Sequence, residues 1–290
     1  MQRSEVPRID AIGFANVLDK NPPLVQASDV ERVFREAEEQ VDSSAVAVFA
    51  CELLEQTKEL LERRGYSGHM YVQNSVKRVG QVILSNRGEP PLETKHHILA
   101  KKAWVGRQSG PAAVTTSVVR LGDTEQTVAG THLTHLTGNP VAQFFEASEL
   151  LRVLEREAVG LLVTDSNRGL ISRNGAPLAD ACQDHYFRGR PVLKMMRAVT
   201  LGIEQRYVPH LWSRLNKAGF VQSDETKTAT TWVPDPTKDE GLLDKLSARH
   251  GLTFSTDHVV TRGSAEIAVR LLSEIARNTD HVPMIASIRP

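Results

Sequence analysis

The stretch Pro191–Pro234 reads PVLKMMRAVTLGIEQRYVPHLWSRLNKAGFVQSDETKTATTWVP, and the rest of the chain can be arranged around it. Its second half predicts a helix at 206–218, because apolar residues recur there at i, i+3, i+4 and i+7. Gly219 follows at a position where a helix end favours a residue that can adopt positive φ. The apolar face consists of Val208, Leu211, Trp212 and Leu215, and the opposite face carries His210, Ser213, Arg214 and Lys217.

Further elements are predicted on both sides of this helix. A shorter helix at 191–201 precedes it, and the two meet through a turn at 202–205. After the helix, β-prone runs at 220–222 and 228–233 flank a polar turn, which indicates a hairpin. The predicted order is therefore helix, turn, helix and hairpin.

This order resembles that of the winged-helix DNA-binding superfamily, over residues 191–233 only. The resemblance implies that the helix at 206–218 is a recognition helix and that 220–233 is the wing. The outward side chains of the helix, and Lys227 on the wing, would then contact base edges and phosphates of duplex DNA. A helical pair and a hairpin inside another α+β domain would give the same pattern, so that alternative stays open.

Charge is unevenly distributed along a chain of 290 residues whose formal net charge is zero. Residues 1–62 contain six Lys/Arg and thirteen Asp/Glu, whereas residues 63–108 contain nine and two. A surface rich in cations favours an anionic partner such as nucleic acid. The additional candidates for phosphate contact are Lys95, Lys101, Lys102, Arg107, Arg188 and Arg190.

The hydrophobic pattern predicts a helix-rich α+β fold with β-hairpins and a winged-helix-like C-terminal module. We expect an N-terminal arm at 1–26, a helical module with a basic neck and a β-hairpin at 27–138, the winged-helix-like α+β module at 139–277, and a C-terminal tail at 278–290. Helices are predicted at 29–40, 43–64, 71–84, 92–105, 140–157 and 264–277, and β-structure at 112–136, 159–172 and 252–261. Cys51 and Cys182 are expected to be buried thiols. The absence of an apolar leader or membrane span predicts a cytoplasmic protein without a membrane partner.

A metal-dependent nuclease is an alternative from a different functional class. Such enzymes hold Mg²⁺ with carboxylates and often use a lysine near the attacking water. Two Glu-x-Lys triplets occur, at Glu93–Lys95 and Glu225–Lys227. Neither follows an apolar strand with a suitably placed Asp, so a chance match is favoured.

Two pairs of histidines, His96-His97 and His132 with His135, are candidate metal ligands. On a strand, the spacing of His132 and His135 places them on opposite faces, and His96-His97 has no cysteine partners. Asp165-Ser166-Asn167-Arg168-Gly169 follows an apolar strand, where sites are often built, but a tight turn explains it equally well. The sequence therefore assigns no catalytic residue, metal or cofactor.

The favoured function is binding of nucleic acid, duplex DNA first, by a homodimer or larger homo-oligomer that is not an enzyme. A regulator or an accessory protein of replication or of mobile elements would fit. A third alternative is an assembly or adaptor protein whose acidic N-terminus contacts the basic neck of another copy.

Overall fold

Two six-stranded sheets form the centre of the protein in a computed structural model. The structure describes residues 9–16, 27–39, 46–75, 78–85, 90–99, 112–121, 124–133, 140–171, 211–222, 254–263, 266–272 and 281–289. Twelve strands and four helices lie in these residues. The prediction of a helix-rich fold with isolated hairpins is therefore wrong, and the described part of the chain is dominated by sheet.

The first sheet has the strand order β11-β12-β1-β2-β4-β3. Only β1 and β2 pair in parallel among these neighbours, and the other pairs are antiparallel. The bounds are β1 Ile9–Asn16, β2 Ala47–Leu54, β3 Met70–Asn74, β4 Val79–Ser85, β11 Glu266–Leu271 and β12 Met284–Arg289.

The second sheet has the strand order β5-β6-β7-β8-β10-β9. It contains one parallel pair, β7 with β8, and is otherwise antiparallel. The bounds are β5 Glu93–Ile98, β6 Ala113–Leu121, β7 Thr124–His132, β8 Leu161–Ile171, β9 Phe220–Gln222 and β10 Phe254–Arg262.

Helices cover the outer face of each sheet, and the two inner faces pack together. The helices α1 (Ala27–Glu38) and α2 (Glu55–Arg63) share a core cluster with β2 and β4. The helices α3 (Pro140–Arg156) and α4 (Leu211–Lys217) share another with β6, β7 and β8. A third cluster contains side chains of both sheets, among them Phe49, Val163 and Met284. The layers are therefore helix, sheet, sheet, helix.

Four predicted helices are strands, wholly or in part, for a common physical reason. Segment 43–64 begins with β2 and only then becomes α2, while 71–84, 92–105 and 264–277 contain β3 and β4, β5 and β11 respectively. The residues of β4 are buried on both faces, and a short apolar run of this kind carries no period that distinguishes a strand from a helix. In β11 the apolar residues Ile267, Val269 and Leu271 alternate, as one face of a strand requires.

Other predictions agree with the structure. The helices at 29–40 and 140–157 correspond to α1 and α3, and the hairpin at 112–136 to β6 and β7. The sequence predicts a second hairpin at 159–172, and this prediction is wrong because Leu161–Ile171 is the single strand β8. No helix in the described ranges has the length and apolar character that crossing a membrane requires.

The proposed arm and tail both contain strands of the first sheet, β1 and β12, which pair with each other. Each sheet contains strands from both proposed modules. The module boundaries at 138 and 277 stay a prediction. In the opening stretch, α4 and β9 lie where a helix and a strand were expected, and Gly219 has a φ of 82°. The strand β9 pairs with β10, while the segments 191–201 and 228–233 lie outside the described residues.

Candidate active site

Acidic residues and histidines replace apolar ones at one end of the core between the sheets. Along β8, Leu161 and Val163 point into this core, and Asp165 follows on the same face. Along β10, Asp257 precedes Val259 in the same way. Asp165 is 1% exposed and Asp257 is not exposed. The alternation that builds the core thus continues into a buried acidic pair.

Strand register places three of these residues in one row. The Cα atom of Asp165 is paired with that of His132 on β7 and with that of Asp257 on β10. Neighbouring strands lie about 4.8 Å apart, so the side chains of paired residues are within contact distance. The parallel pairing of β7 with β8 therefore places the last residue of β7 beside a residue in the middle of β8.

Asp165 lies between two imidazoles. Its Oδ2 atom is 3.4 Å from Nε2 of His132 and 3.9 Å from Nε2 of His281, the residue that precedes β12 by three positions. Nδ1 of His281 donates a hydrogen bond of 2.7 Å to Oδ2 of Asp257. One ligand atom each from Asp165, Asp257 and His281 lies within 4.8 Å of the others. The first sheet therefore contributes to the site through His281.

A second residue of the first sheet, Glu52, reaches the same place because its strand bulges. The register of β2 against β4 shifts between Ala50 and Leu53, and Glu52 has a φ of 53°. A non-glycine residue in this region is uncommon and costs free energy, and such residues concentrate at functional sites. Oε1 of Glu52 lies 3.8 Å from Nδ1 of His132. His132 thus has a carboxylate near each ring nitrogen.

Gly130 lets the two sheets approach closely beside the site. It lies two residues before His132 on the face of β7 that points into the core between the sheets. A Cβ atom at this position would overlap the ring of Phe49 on β2. The lack of a side chain at residue 130 is therefore a requirement of the packing that holds His132 opposite Glu52.

The predicted nucleic-acid-binding residues do not gather at this site. On α4, Ser213 and Lys217 are exposed, whereas the guanidinium of Arg214 donates a 3.0 Å hydrogen bond to Oγ of Ser148 on α3. Whether these side chains contact nucleic acid stays a prediction. The structure does not describe His210, Lys227, Arg188, Arg190, Lys101, Lys102 or Arg107.

Lys95, the remaining candidate, is paired with carboxylates on the exposed strand β5. Its Nζ atom lies 3.1 Å from Oε1 of Glu93 and 3.1 Å from Oε2 of Glu157. The hydrogen bond to Glu157, followed by that to Glu93, raises the pKa of Lys95 above its usual value. A phosphate group would have to compete with both carboxylates for this cation.

The adjacent histidines of β5 bind hydroxyl groups of the next strand. Nδ1 of His96 is 3.0 Å from Oγ1 of Thr115, and Nε2 of His97 is 3.3 Å from Oγ1 of Thr116. Burial, followed by the charges of His69 and His97, lowers the pKa of His96. The pair on β5 therefore does not join His132.

Sequence reasoning missed Glu52, Asp257 and His281, and it left Asp165 without a role. Asp165 begins the segment 165–169, which the sequence explains equally well as a site or as a tight turn. His132 is the last residue of β7, whose Val128 and Ala129 belong to the core. Polar residues at the ends of apolar runs were therefore the available indication of a site. Without the strand order, they did not show which of these residues lie close together.

Comparison with known proteins identifies the fold. No protein-family profile matches the sequence, and no curated protein is similar to it. Solved structures do match over nearly the whole chain. One is an endonuclease/exonuclease/phosphatase from Bacteroides vulgatus, with 15% identity, a TM-score of 0.60 and coverage of 97% of this chain and 98% of the other. Another is the 3′ phosphatase NExo from Neisseria with a product DNA hairpin, with 15% identity, a TM-score of 0.55 and coverage of 96% and 98%. A third is a mannosyl-6-phosphatase from Bacteroides thetaiotaomicron, with 14% identity, a TM-score of 0.52 and coverage of 96% and 98%.

These matches correct the main predictions. The chain has the fold of endonuclease/exonuclease/phosphatase proteins, so the resemblance to winged-helix and helix-turn-helix proteins is wrong. The DNA-binding regulator or accessory protein inferred from that resemblance is wrong with it, as is the preference for a protein that is not an enzyme. The metal-dependent nuclease, which the sequence left as an alternative, agrees better with proteins of this fold.

Proposed function

We propose that this protein is a metal-dependent phosphoesterase that cleaves phosphate ester bonds in nucleic acid. The observation that carries the proposal is the buried cluster of Asp165, Asp257 and His281, with His132 and Glu52 beside it, at one end of the core between the sheets. Burying carboxylates costs free energy unless they are paired or bind a cation, so such a cluster is a candidate for function. The shared fold with nucleases and phosphatases supports the same conclusion.

The donor set fits a divalent metal ion. Carboxylate oxygens suit Mg²⁺ and Mn²⁺, and an imidazole nitrogen is compatible with Mn²⁺ and the later transition metals. Nδ1 of His132 is buried without a hydrogen-bond partner in the described part of the chain, and a carboxylate oxygen of Glu52 lies 3.8 Å from it. Glu52 and Asp165, the carboxylates that flank His132, would hold the ion. When bound, such an ion neutralises charge on a phosphoryl group and polarises it toward attack.

The pair formed by Asp257 and His281 is suited to proton transfer. Because Nδ1 of His281 donates to Asp257, the carboxylate fixes the tautomer and the orientation of the ring. The other nitrogen, Nε2, then faces Asp165 at 3.9 Å and can accept a proton from an attacking water or return one to a leaving group. His132, between the carboxylates of Glu52 and Asp165, would orient the phosphate-binding side of the same pocket.

A nucleic-acid substrate is favoured by the concentration of Lys and Arg in residues 63–108, which can attract a polyanion. In this proposal the duplex DNA that was predicted as a binding partner is a substrate. A homo-oligomeric state and a cytoplasmic location are kept as predictions from the sequence.

Hydrolysis assays test this proposal. The purified protein would be incubated with labelled single-stranded and duplex DNA, with RNA, and with p-nitrophenyl phosphate, in Mg²⁺ or Mn²⁺ and in EDTA. We expect cleavage of nucleic acid that needs the divalent ion and falls by at least about 10²-fold in Asp165→Asn, since a carboxylate at the reacting centre is lost. Glu125→Gln is the matched control, because this exposed carboxylate pairs with Arg120 at the other end of β7 from His132. Hydrolysis of the small phosphate alone would replace the nucleic-acid substrate by a small phosphate monoester, and no hydrolysis under any condition would overturn the proposal.

A further inference from the structure

Cys51 lies against the candidate active site. It is a buried residue of β2, directly before Glu52, and belongs to the cluster of side chains between the two sheets. One ligand atom each from Cys51, His132 and Asp165 lies within 4.8 Å of the others. These three donors come from both sheets, β2 on one side and the neighbouring strands β7 and β8 on the other.

We propose that Cys51, His132 and Asp165 form a binding site for a thiophilic divalent ion such as Zn²⁺, which shares Asp165 with the hard-ion site of the phosphoesterase reaction. The site combines one sulfur, one nitrogen and one oxygen donor. Thiolate and imidazole ligands select Zn²⁺ and related ions, whereas Mg²⁺ has little affinity for thiolates. Sites with three protein ligands and one open position are common for zinc.

The separations of the donor atoms allow coordination after a small adjustment. With zinc bonds of about 2.0–2.3 Å, the ligand atoms of a tetrahedral site lie roughly 3.4–3.7 Å apart. The three donor atoms here lie within 4.8 Å of one another. Side-chain movements of about 1 Å would therefore let all three coordinate one ion. Coordination uses the thiolate, so the thiol proton of Cys51 leaves to solvent when the ion binds.

Occupation of this site removes two residues from the reaction. Asp165 belongs both to the group with Cys51 and to the group with Asp257 and His281, and His132 lies between the carboxylates of Glu52 and Asp165. An ion held by Cys51 therefore withdraws Asp165 from the hard cation and His132 from the phosphate-binding side of the pocket. The expected consequence, which rests on the proposed phosphoesterase function, is inhibition by Zn²⁺ that Mg²⁺ does not reproduce.

Metal binding can be measured without any assay of activity. The full chain, reduced with a phosphine, would be titrated with Cd²⁺ while the thiolate-to-metal absorption band is followed, and with Zn²⁺ by calorimetry. We expect one equivalent of Cd²⁺ to produce the band in the wild type and in Cys182→Ser, which keeps Cys51. Cys51→Ser should lose the band and bind Zn²⁺ at least about tenfold more weakly, because a direct ligand contributes no less than an outer-shell partner. Cys51→Ala keeps an apolar side chain in the cluster and serves if the serine variant does not fold.

The outcomes separate this inference from the proposed function. No band in the wild type, or a band that survives in Cys51→Ser and disappears in Cys182→Ser, would overturn the site. His132→Gln should weaken Zn²⁺ binding while the thiol is retained, and unchanged affinity in this variant would also overturn it. If the band behaves as expected in a protein that hydrolyses no phosphate ester, the metal site stands and only the phosphoesterase proposal fails.

Discussion

Nδ1 of His281 and Oδ2 of Asp257 are 2.7 Å apart, and this hydrogen bond connects the segment before β12 in the first sheet with β10 in the second. The contact depends on both sheets being assembled. We expect Asp257→Asn to lower kcat by about 10²–10⁴-fold with little change of KM, because the imidazole loses the carboxylate that orients it. His281→Gln should lower kcat to a similar extent, because it removes the imidazole that transfers the proton. Steady-state kinetics of both variants check this, and a wild-type kcat in either variant would contradict it.

Glu52 combines a strained backbone with a site position, so its replacement should separate stability from activity. Its φ of 53° costs a non-glycine residue about 1 kcal/mol that glycine does not pay. We expect Glu52→Gly to unfold at a higher urea concentration than Glu52→Ala, by about 1 kcal/mol in free energy of unfolding, while both variants lose activity. Equal stabilities would show that the positive φ is not maintained in solution.

Replacement of Gly130 by alanine should also destabilise the protein, but for a steric reason. The ring of Phe49 occupies the space that a Cβ atom at residue 130 would need. Gly130→Ala should lower the free energy of unfolding by about 1–3 kcal/mol, as expected for overpacking of a core. The double variant Gly130→Ala with Phe49→Leu should be less destabilised than the sum of the two single variants. Additive losses would indicate that the two residues are not in contact.

His96 predicts loss of stability in mild acid. Burial lowers its pKa in the folded protein, so the unfolded chain binds the proton more readily. The stability it contributes is complete above its unfolded pKa of about 6.5 and is lost as pH falls from there toward the lower folded value. Urea midpoints at pH 7.5 and 5.5 measure this. The difference between the two should be smaller in His96→Gln, and an identical difference would contradict the assignment.

Arg214 offers a way to separate a structural role from the predicted contact with nucleic acid. Its hydrogen bond to Ser148 ties α4 to α3. Both Arg214→Ala and Ser148→Ala should lower the free energy of unfolding by about 1 kcal/mol, and the double variant should lose less than the sum. If Arg214 also contacts DNA, only Arg214→Ala should weaken binding in low salt. A Ser148→Ala variant with equally weakened binding would assign the effect to misplacement of α4.

The sequence was sufficient for elements with an unambiguous period. The helix α3 was predicted from its apolar residues and its Asn-Pro start, and the hairpin of β6 and β7 from two Val/Thr-rich runs separated by Gly122-Asp123-Thr124. β2 and β4 were assigned to helices because both of their faces are buried, which removes the period. The sequence of a central strand that is covered on both faces therefore cannot be distinguished from that of a core helix until its neighbouring strands are known.

The candidate site could not be predicted from the sequence for a related reason. Asp257 lies 92 residues after Asp165 in the sequence, and His281 lies 24 residues after Asp257. They meet only because β8 pairs with β10 and because the two sheets stack. Short motifs describe residues that are close along the chain, whereas this cluster depends on strand order.

The position of β12 between β11 and β1 has a consequence for the synthesis of the protein. A nascent chain emerging from the ribosome can pair β1 with β2 early, but β1 keeps one open edge until Met284–Arg289 is available. His281 precedes that strand by only three residues, so the proton-transfer pair is completed at the same moment as the sheet. Closure between segments so distant in sequence is slow, and an open apolar edge invites pairing with other chains in the meantime. A variant truncated before His281 should therefore lack hydrolytic activity and aggregate through the open edge of β1, whereas the chain that includes Met284–Arg289 should show neither defect.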